Sequence, residues 1–239
     1  MVAFILFIIS SASPTAIKTG DDAFIRQEYA AAISVYESAL PVAENKSELL
    51  WRIARCYINM GDIAKREERE PFYRKAEIFA TQAVQADSLN ADAHCWRAVS
   101  IGYIAIYEGV RAKVAAANEI KRELDIALRL DSKNDVAYSI LGTFYRTLGN
   151  VGWIEKQLAG LLLGGLPPGG FAEGEIALKK AIALAPAIIR HRYELGLLYL
   201  DMEQPDRAKQ VFSEALKYPP LLASDKQRIE RMKRRLNEP

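Results

Sequence analysis

Cysteine and histidine are nearly absent from this 239-residue chain, with two of each. Cys56 and Cys95 are too few for a disulfide scaffold. Both fall in apolar stretches that read as helix, where a free thiol acts as a small hydrophobe; a single bridge between them is the other reading. His94 and His191 leave little material for a histidine-based catalytic or metal centre. A dominant charge sign is also missing: 32 Lys and Arg stand against 30 Asp and Glu, a net of +2, so nucleic acid is not an expected partner. The sequence contains no P-loop, no HExxH, no CxxC pair and no Ser-His-Asp order. Gly164-Gly165 and Gly169-Gly170 enclose Leu166-Pro167-Pro168, with no Lys-Ser or Lys-Thr after them and no strand before, which excludes a phosphate loop. No catalytic residue, cofactor or metal is therefore expected. Glu67, Glu68 and Glu70 alternate with Lys65, Arg66 and Arg69, the pattern of a solvated helix face rather than an acid–base pair.

What is present begins with an apolar run, Met1–Ile9, followed by Ser10, Ser11, Ala12 and Ser13. This resembles a signal-peptide core and cleavage zone over residues 1–12, although no Lys or Arg precedes it. An uncleaved N-terminal anchor and a buried first helix are the competing readings. The first two imply export or membrane anchoring, with membrane contact confined to the N-terminus.

The rest of the chain repeats. A tetratricopeptide unit of about 34 residues pairs two antiparallel helices, with Leu-Gly and Tyr in the first, small residues and an aromatic in the second, and Pro at its end. Leu195, Gly196, Tyr199, Ala208, Phe212, Ala215 and Pro220 fit that frame; Gly20, Tyr29, Ala32, Tyr36 and Ala39 fit it at the other end. Repeats near 13–46, 47–90, 91–134, 135–188 and 189–222 have lengths of 34, 44, 44, 54 and 34 residues. Each expansion is expected between the two helices of its repeat, at one edge of the array, where repeat proteins often carry binding loops. Ser224-Asp225 supplies an N-cap for a last helix through Leu236, with Ile229, Met232 and Leu236 as its apolar side, so residues 223–239 read as a cap and tail. The same helix carries Lys226, Arg228, Arg231, Lys233, Arg234 and Arg235. These make either a solvated cap face or a surface for an acidic partner, anionic lipid headgroups or the acidic microtubule surface.

Such arrays bind through the concave side lined by first helices. The frame places Trp51, Arg55, Ile58, Asn59, Val99, Tyr103, Ser139, Thr143, Arg146, Thr147, Tyr193 and Leu197 there. Aromatic, apolar and arginine groups together suit an extended peptide or a lipid with an anionic head; packing between neighbouring helices is the bland alternative. Ile17 and Asp21 stand in the first repeat where chaperone-binding arrays hold Lys and Asn for a terminal carboxylate, so that function is not expected.

The largest expansion, Val151–Gly170, has two parts. Val151, Ile154, Leu158, Leu161 and Leu162 recur at helical spacing with Trp153 near the start, and Gly164–Gly170 forms a turn-rich loop. The apolar helix either docks as core or lids the groove through Trp153, Ile154, Leu158, Leu161 and Leu162; membrane contact is a third use.

Beyond the generic repeat, the enlarged units resemble the regulator of microtubule dynamics family. The residues that carry this are Trp96, Gly102-Tyr103, Tyr107-Glu108-Gly109, Lys121, Asp125-Ile126-Ala127, Leu141-Gly142, Trp153-Ile154-Glu155, Leu166-Pro167-Pro168 and Pro186, within roughly residues 48–217. The resemblance implies a non-catalytic helical array, with microtubule association and, in one branch, phospholipid binding among animal members. The short chain looks more like prokaryotic relatives with export signals. The expected fold class is thus all-α, a right-handed tetratricopeptide superhelix of about five helix pairs with a capping helix. The expected function is a scaffold or adaptor holding a protein or peptide. A phospholipid or apolar small-molecule carrier and a microtubule-associated protein are the alternatives.

Overall fold

The computed structural model describes residues 12–152, 156–157, 159–160 and 164–237. Those residues are all-α, with no strand among them. Eleven α-helices occur among them: α1 Ala12–Ile25, α2 Tyr29–Ala39, α3 Lys46–Ile63, α4 Arg69–Ala86, α5 Ala91–Ile104, α6 Val110–Leu130, α7 Asp135–Gly149, α8 Phe171–Leu184, α9 Ile189–Asp201, α10 Pro205–Ala215 and α11 Asp225–Asn237. The proposed signal region largely precedes α1 and lies outside the described residues.

The chain divides into two compact units, residues 1–104 and 105–239. In the first, α1 packs on α2, α2 on α3, α3 on α4 and α4 on α5, while the alternate helices α1 and α3, and α3 and α5, also touch. In the second, α7 pairs with α8 and α9 with α10, α7 touches α9, and α11 closes against α9 and α10. Consecutive antiparallel pairing with first helices side by side is the packing of a tetratricopeptide array.

The hairpins close where a small residue meets a large one. Gly20 faces Tyr36 and Gly196 faces Phe212 so tightly that a Cβ at either glycine would meet the ring at 2.2 and 2.1 Å. Both rings are almost fully buried. In the last repeat Phe212 joins Leu178, Ile189 and Leu198 in a core completed from α11 by Met232, with Ile229 and Leu236 packed at its margin. The apolar side expected for the final helix is therefore the side it buries.

The start of that helix differs from expectation. The Asp225 carboxylate accepts the backbone N–H groups of Leu221 (3.0 Å) and Leu222 (2.9 Å), behind it in the chain, and pairs with Arg228 at 2.9 Å. Ser224 Oγ accepts from the same guanidinium. These groups fasten the preceding turn to the helix.

The expansions also differ among themselves. In the second repeat the additional residues lengthen both helices, α3 and α4, to 18 residues each; in the third they lengthen α6 to 21. Extending an existing helix satisfies every added backbone group, which a surface loop does not. The charged run at Lys65–Glu70 spans a 3-10 turn (Arg66–Glu68) and the first turn of α4, where Glu70 pairs with Arg74 at 2.7 Å. The fourth repeat has the expected turn-rich loop: Gly164, Gly165 and Gly169 adopt φ of +79°, +88° and +126°. A Cβ on Gly169 would also lie 2.3 Å from the Tyr145 ring, so both conformation and space require glycine there.

Both thiols are free and buried, and burial pushes the Cys56 thiol up to about 12.

His191 is the other buried titratable group of note. Its Nε2 lies 2.8 Å from Asp135 Oδ2, joining α9 to the start of α7. Burial holds the imidazole below its ordinary pKa, helped by Arg190 and Arg192 and opposed by the Asp135 carboxylate. A base held below its ordinary value takes up its proton more readily unfolded than folded. Its contribution is therefore complete above about pH 6.5 and is lost as pH falls from there toward the folded value. Burial would raise the Asp135 carboxyl, but the His191 hydrogen bond and neighbouring positive charges hold it below its ordinary value, so its contribution fades only in stronger acid, below about pH 4. Melting temperature should accordingly fall between about pH 7.5 and 5.5, and His191→Gln should flatten that slope; an unchanged slope in the variant would assign it to other groups.

Candidate binding face

Among the described residues no group of three or more His, Cys, Asp or Glu is arranged to hold a metal ion. The first helices instead present two faces, one in each unit.

In the first unit the face is occupied by its own chemistry. Arg55, expected as a free groove cation, binds Asp21 Oδ1 at 2.5 Å and stacks 3.8 Å above the Phe24 ring. Arg52 binds Asp21 Oδ2 at 3.1 Å and Glu48 at 2.5 Å, and lies 4.1 Å over the Trp51 ring. Tyr36 donates to Asp21 at 2.8 Å, and Glu48 accepts from Asn90 at 2.7 Å. Burial would raise the Asp21 carboxyl, but the Arg52 and Arg55 charges and the hydrogen bonds from Tyr36 and Arg55 hold it below its ordinary value. The carboxylate replacing a chaperone-type asparagine thus ties α1 to α3. Trp51, Ile58, Asn59 and Val99 are buried, and the Asn59 amide donates to Arg55 O at 2.8 Å. Half-buried Tyr103 stacks on Tyr73 with centroids 4.4 Å apart.

In the second unit Ser139 is fully buried. Thr143 and Thr147 turn back along α7, donating to Ser139 O and Thr143 O. Arg146 bridges to α9, with Asp201 at 3.2 Å and Glu194 at 3.5 Å; Asp201 also accepts from Asn150 at 2.7 Å. Tyr193 is 7% exposed and Leu197 is half-buried. They share a cavity of about 290 Å³ with Arg231, Arg234 and Arg235 of α11. Arginines of the capping helix and the α9 face, far apart in the chain, thus meet at one cavity.

A second cavity of about 650 Å³ lies beside the loop of the fourth repeat, with Lys121, Arg122, Asp125 and Arg129 of α6 on one side and Pro167 and Pro168 on the other. Asn118 holds the loop by donating to Gly165 O at 3.0 Å. Trp153, Ile154, Leu158, Leu161 and Leu162, named as a lid, lie outside the described residues.

A common rule runs through these placements. The fifth residue of each first helix, counted in the repeat frame from 47, 91, 135 and 189, is Trp51, Cys95, Ser139 or Tyr193, and all four are buried. Four residues on, Arg55, Thr143 and Leu197 are half-buried and meet solvent, whereas Val99 is buried.

The family described as regulator of microtubule dynamics protein 1-3 matches residues 16–238. Regulator of microtubule dynamics protein 2 of Macaca fascicularis is 28% identical over 192 residues, covering 80% of this chain and 47% of its own. The Homo sapiens protein of that name is 28% identical over 189 residues, covering 78% and 46%. This chain spans about half the length of these curated relatives. A thermophilic TPR protein of Thermus thermophilus has a similar solved structure, with a TM-score of 0.71 at 19% identity over 94% of this chain and 98% of that one. At that identity the likeness concerns the fold alone.

Proposed function

We propose, from the premise that the chain belongs to the regulator of microtubule dynamics protein 1-3 family, that it is a non-catalytic scaffold binding a protein partner on its helical surface, at the cavities of its second unit. The observation that carries this reading is the chemistry of the two cavities in the second unit. Each is rimmed by charged side chains, Lys121, Arg122, Asp125 and Arg129 in one and three arginines in the other. Such rims suit the polar backbone and charged side chains of a polypeptide. A lipid chain needs a mainly apolar enclosure, and neither cavity is one, so nothing here supports a carrier.

Within the family, the curated relatives' names point to microtubules as the partner. Co-sedimentation of the full chain with stabilised microtubules tests this. The protein should pellet in proportion to polymer and be released as salt rises, because exposed charges are screened over about 8 Å at physiological ionic strength. A chain that stays in the supernatant at low salt would reject microtubules as the partner.

A further inference from the structure

The arginine cavity in the second unit carries more than a general reading of the fold. The basic residues of α11 fall into two groups. Arg228 is paired with Asp225 at 2.9 Å, and Lys233 lies 3.8 Å from Glu230. Arg231 and Arg234, both exposed, have no hydrogen-bond or ion-pair partner among the described residues. With Arg235 they occupy successive turns of one helix face, an i, i+3, i+4 set of like charges. Arg231 repels both Arg234 and Arg235 across one turn of the helix. The helix C-terminus offsets part of this for Arg234 and Arg235, which lie in the last turn, but much less for Arg231.

No acid of the facing helix pairs with Arg231 or Arg234. Its nearby acids, Glu194 and Asp201, are directed to Arg146 at 3.5 and 3.2 Å. The same cavity is lined at depth by buried Tyr193 and half-buried Leu197. The site thus offers a concentrated positive rim around a small apolar floor.

We propose that this notch between α9 and α11 docks an acidic polypeptide segment, with an apolar side chain seated on Tyr193 and Leu197 and flanking carboxylates taken by Arg231 and Arg234. The planar guanidinium fork matches a carboxylate in two-point geometry, which an ammonium does not. Charge complementarity selects the acidic segment, and the floor selects the apolar residue within it. This assignment rests on the polypeptide-binding reading above and specifies the chemistry of its partner.

The test is fluorescence anisotropy of the full chain with a short labelled Glu-rich peptide bearing one central phenylalanine. Arg231→Gln/Arg234→Gln should weaken binding by tenfold or more, and the same peptide with Gln for Glu should not bind. Replacing the peptide phenylalanine by alanine should weaken binding to the native chain but make little difference to a Leu197→Thr variant. The double variant should melt at or above the native temperature; a lower midpoint would make the arginines structural and overturn the proposal. Undiminished peptide binding by the double variant would overturn this site while leaving protein binding elsewhere intact. Failure to bind the peptide, with binding to anionic phospholipid vesicles that the double variant loses, would overturn it in favour of a lipid surface. Failure to bind either probe would overturn it too.

Discussion

Replacing Phe212 by alanine is expected to destabilise the second unit by about 3–5 kcal/mol, the range for removing a fully buried aromatic side chain. The ring is 1% exposed and fills the space left by the missing side chain of Gly196. Its other face meets Tyr193, with centroids 6.2 Å apart at 32°. A glycine cannot reach into the vacated volume, so the cavity stays open. Since typical domains hold only about 5–15 kcal/mol in all, this loss is a large share of what keeps the last repeat folded. Urea denaturation should show a lower midpoint, and amide exchange should accelerate first over residues 189–237, because repeat arrays come apart where a neighbour interface is weakened. Phe212→Leu, which keeps most of the volume, should cost clearly less. Equal losses for the two variants would mean that the cavity relaxes.

Gly142→Val should have the next largest effect, about 3 kcal/mol of destabilisation through overpacking. Helix propensity alone argues the opposite sign, since a glycine inside a helix costs about 1 kcal/mol relative to alanine. Distance decides between them. A Cβ at Gly142 would lie 2.4 Å from Leu178 Cγ, a branch point in a fully buried side chain, and 3.1 Å from the Gly174 carbonyl oxygen. Gly174 in turn would place its Cβ 3.1 Å from Gly142 O, so α7 and α8 meet backbone to backbone. Even Gly142→Ala should lower the thermal midpoint; a rise would show that the two helices can separate without loss.

The residues behind these two predictions show what could be read from the sequence. Gly196 and Phe212 belong to one hairpin, and their spacing of sixteen positions recurs at Gly20 and Tyr36, so a repeat frame finds both pairs. The helix pairs and the apolar side of α11 were legible for the same reason, because each is set by neighbours along the chain. Contacts between repeats were not. Asp21 meets Arg52 and Arg55 at separations of 31 and 34 residues, and nothing in the local pattern says that a groove cation will be neutralised from the preceding repeat. Burial of Trp51, Ser139 and Tyr193 was not legible either, since the repeat frame places them on the groove side without saying how exposed they are. The notch beneath α11 needed the address of a helix whose sequence showed only that it was basic. Its one advance signal was the stripe formed by Arg231, Arg234 and Arg235.

The joints between repeats hold a further consequence. The turn before α5 reads Asp87-Ser88-Leu89-Asn90, and the turn before α7 reads Asp131-Ser132-Lys133-Asn134. In each, the aspartate accepts the N–H two residues on, at 2.9 Å, and the asparagine accepts the N–H three residues on, at 3.1 and 2.8 Å. One side chain therefore stops a helix and another starts the next, with both bonds made inside the same short segment. The bonds that set the shape of each joint are thus local in sequence, with one tie from Asn90 back to Glu48 of α3. Such a joint is a natural splice point: a repeat copied or exchanged between two of these turns would arrive with its entry geometry already encoded.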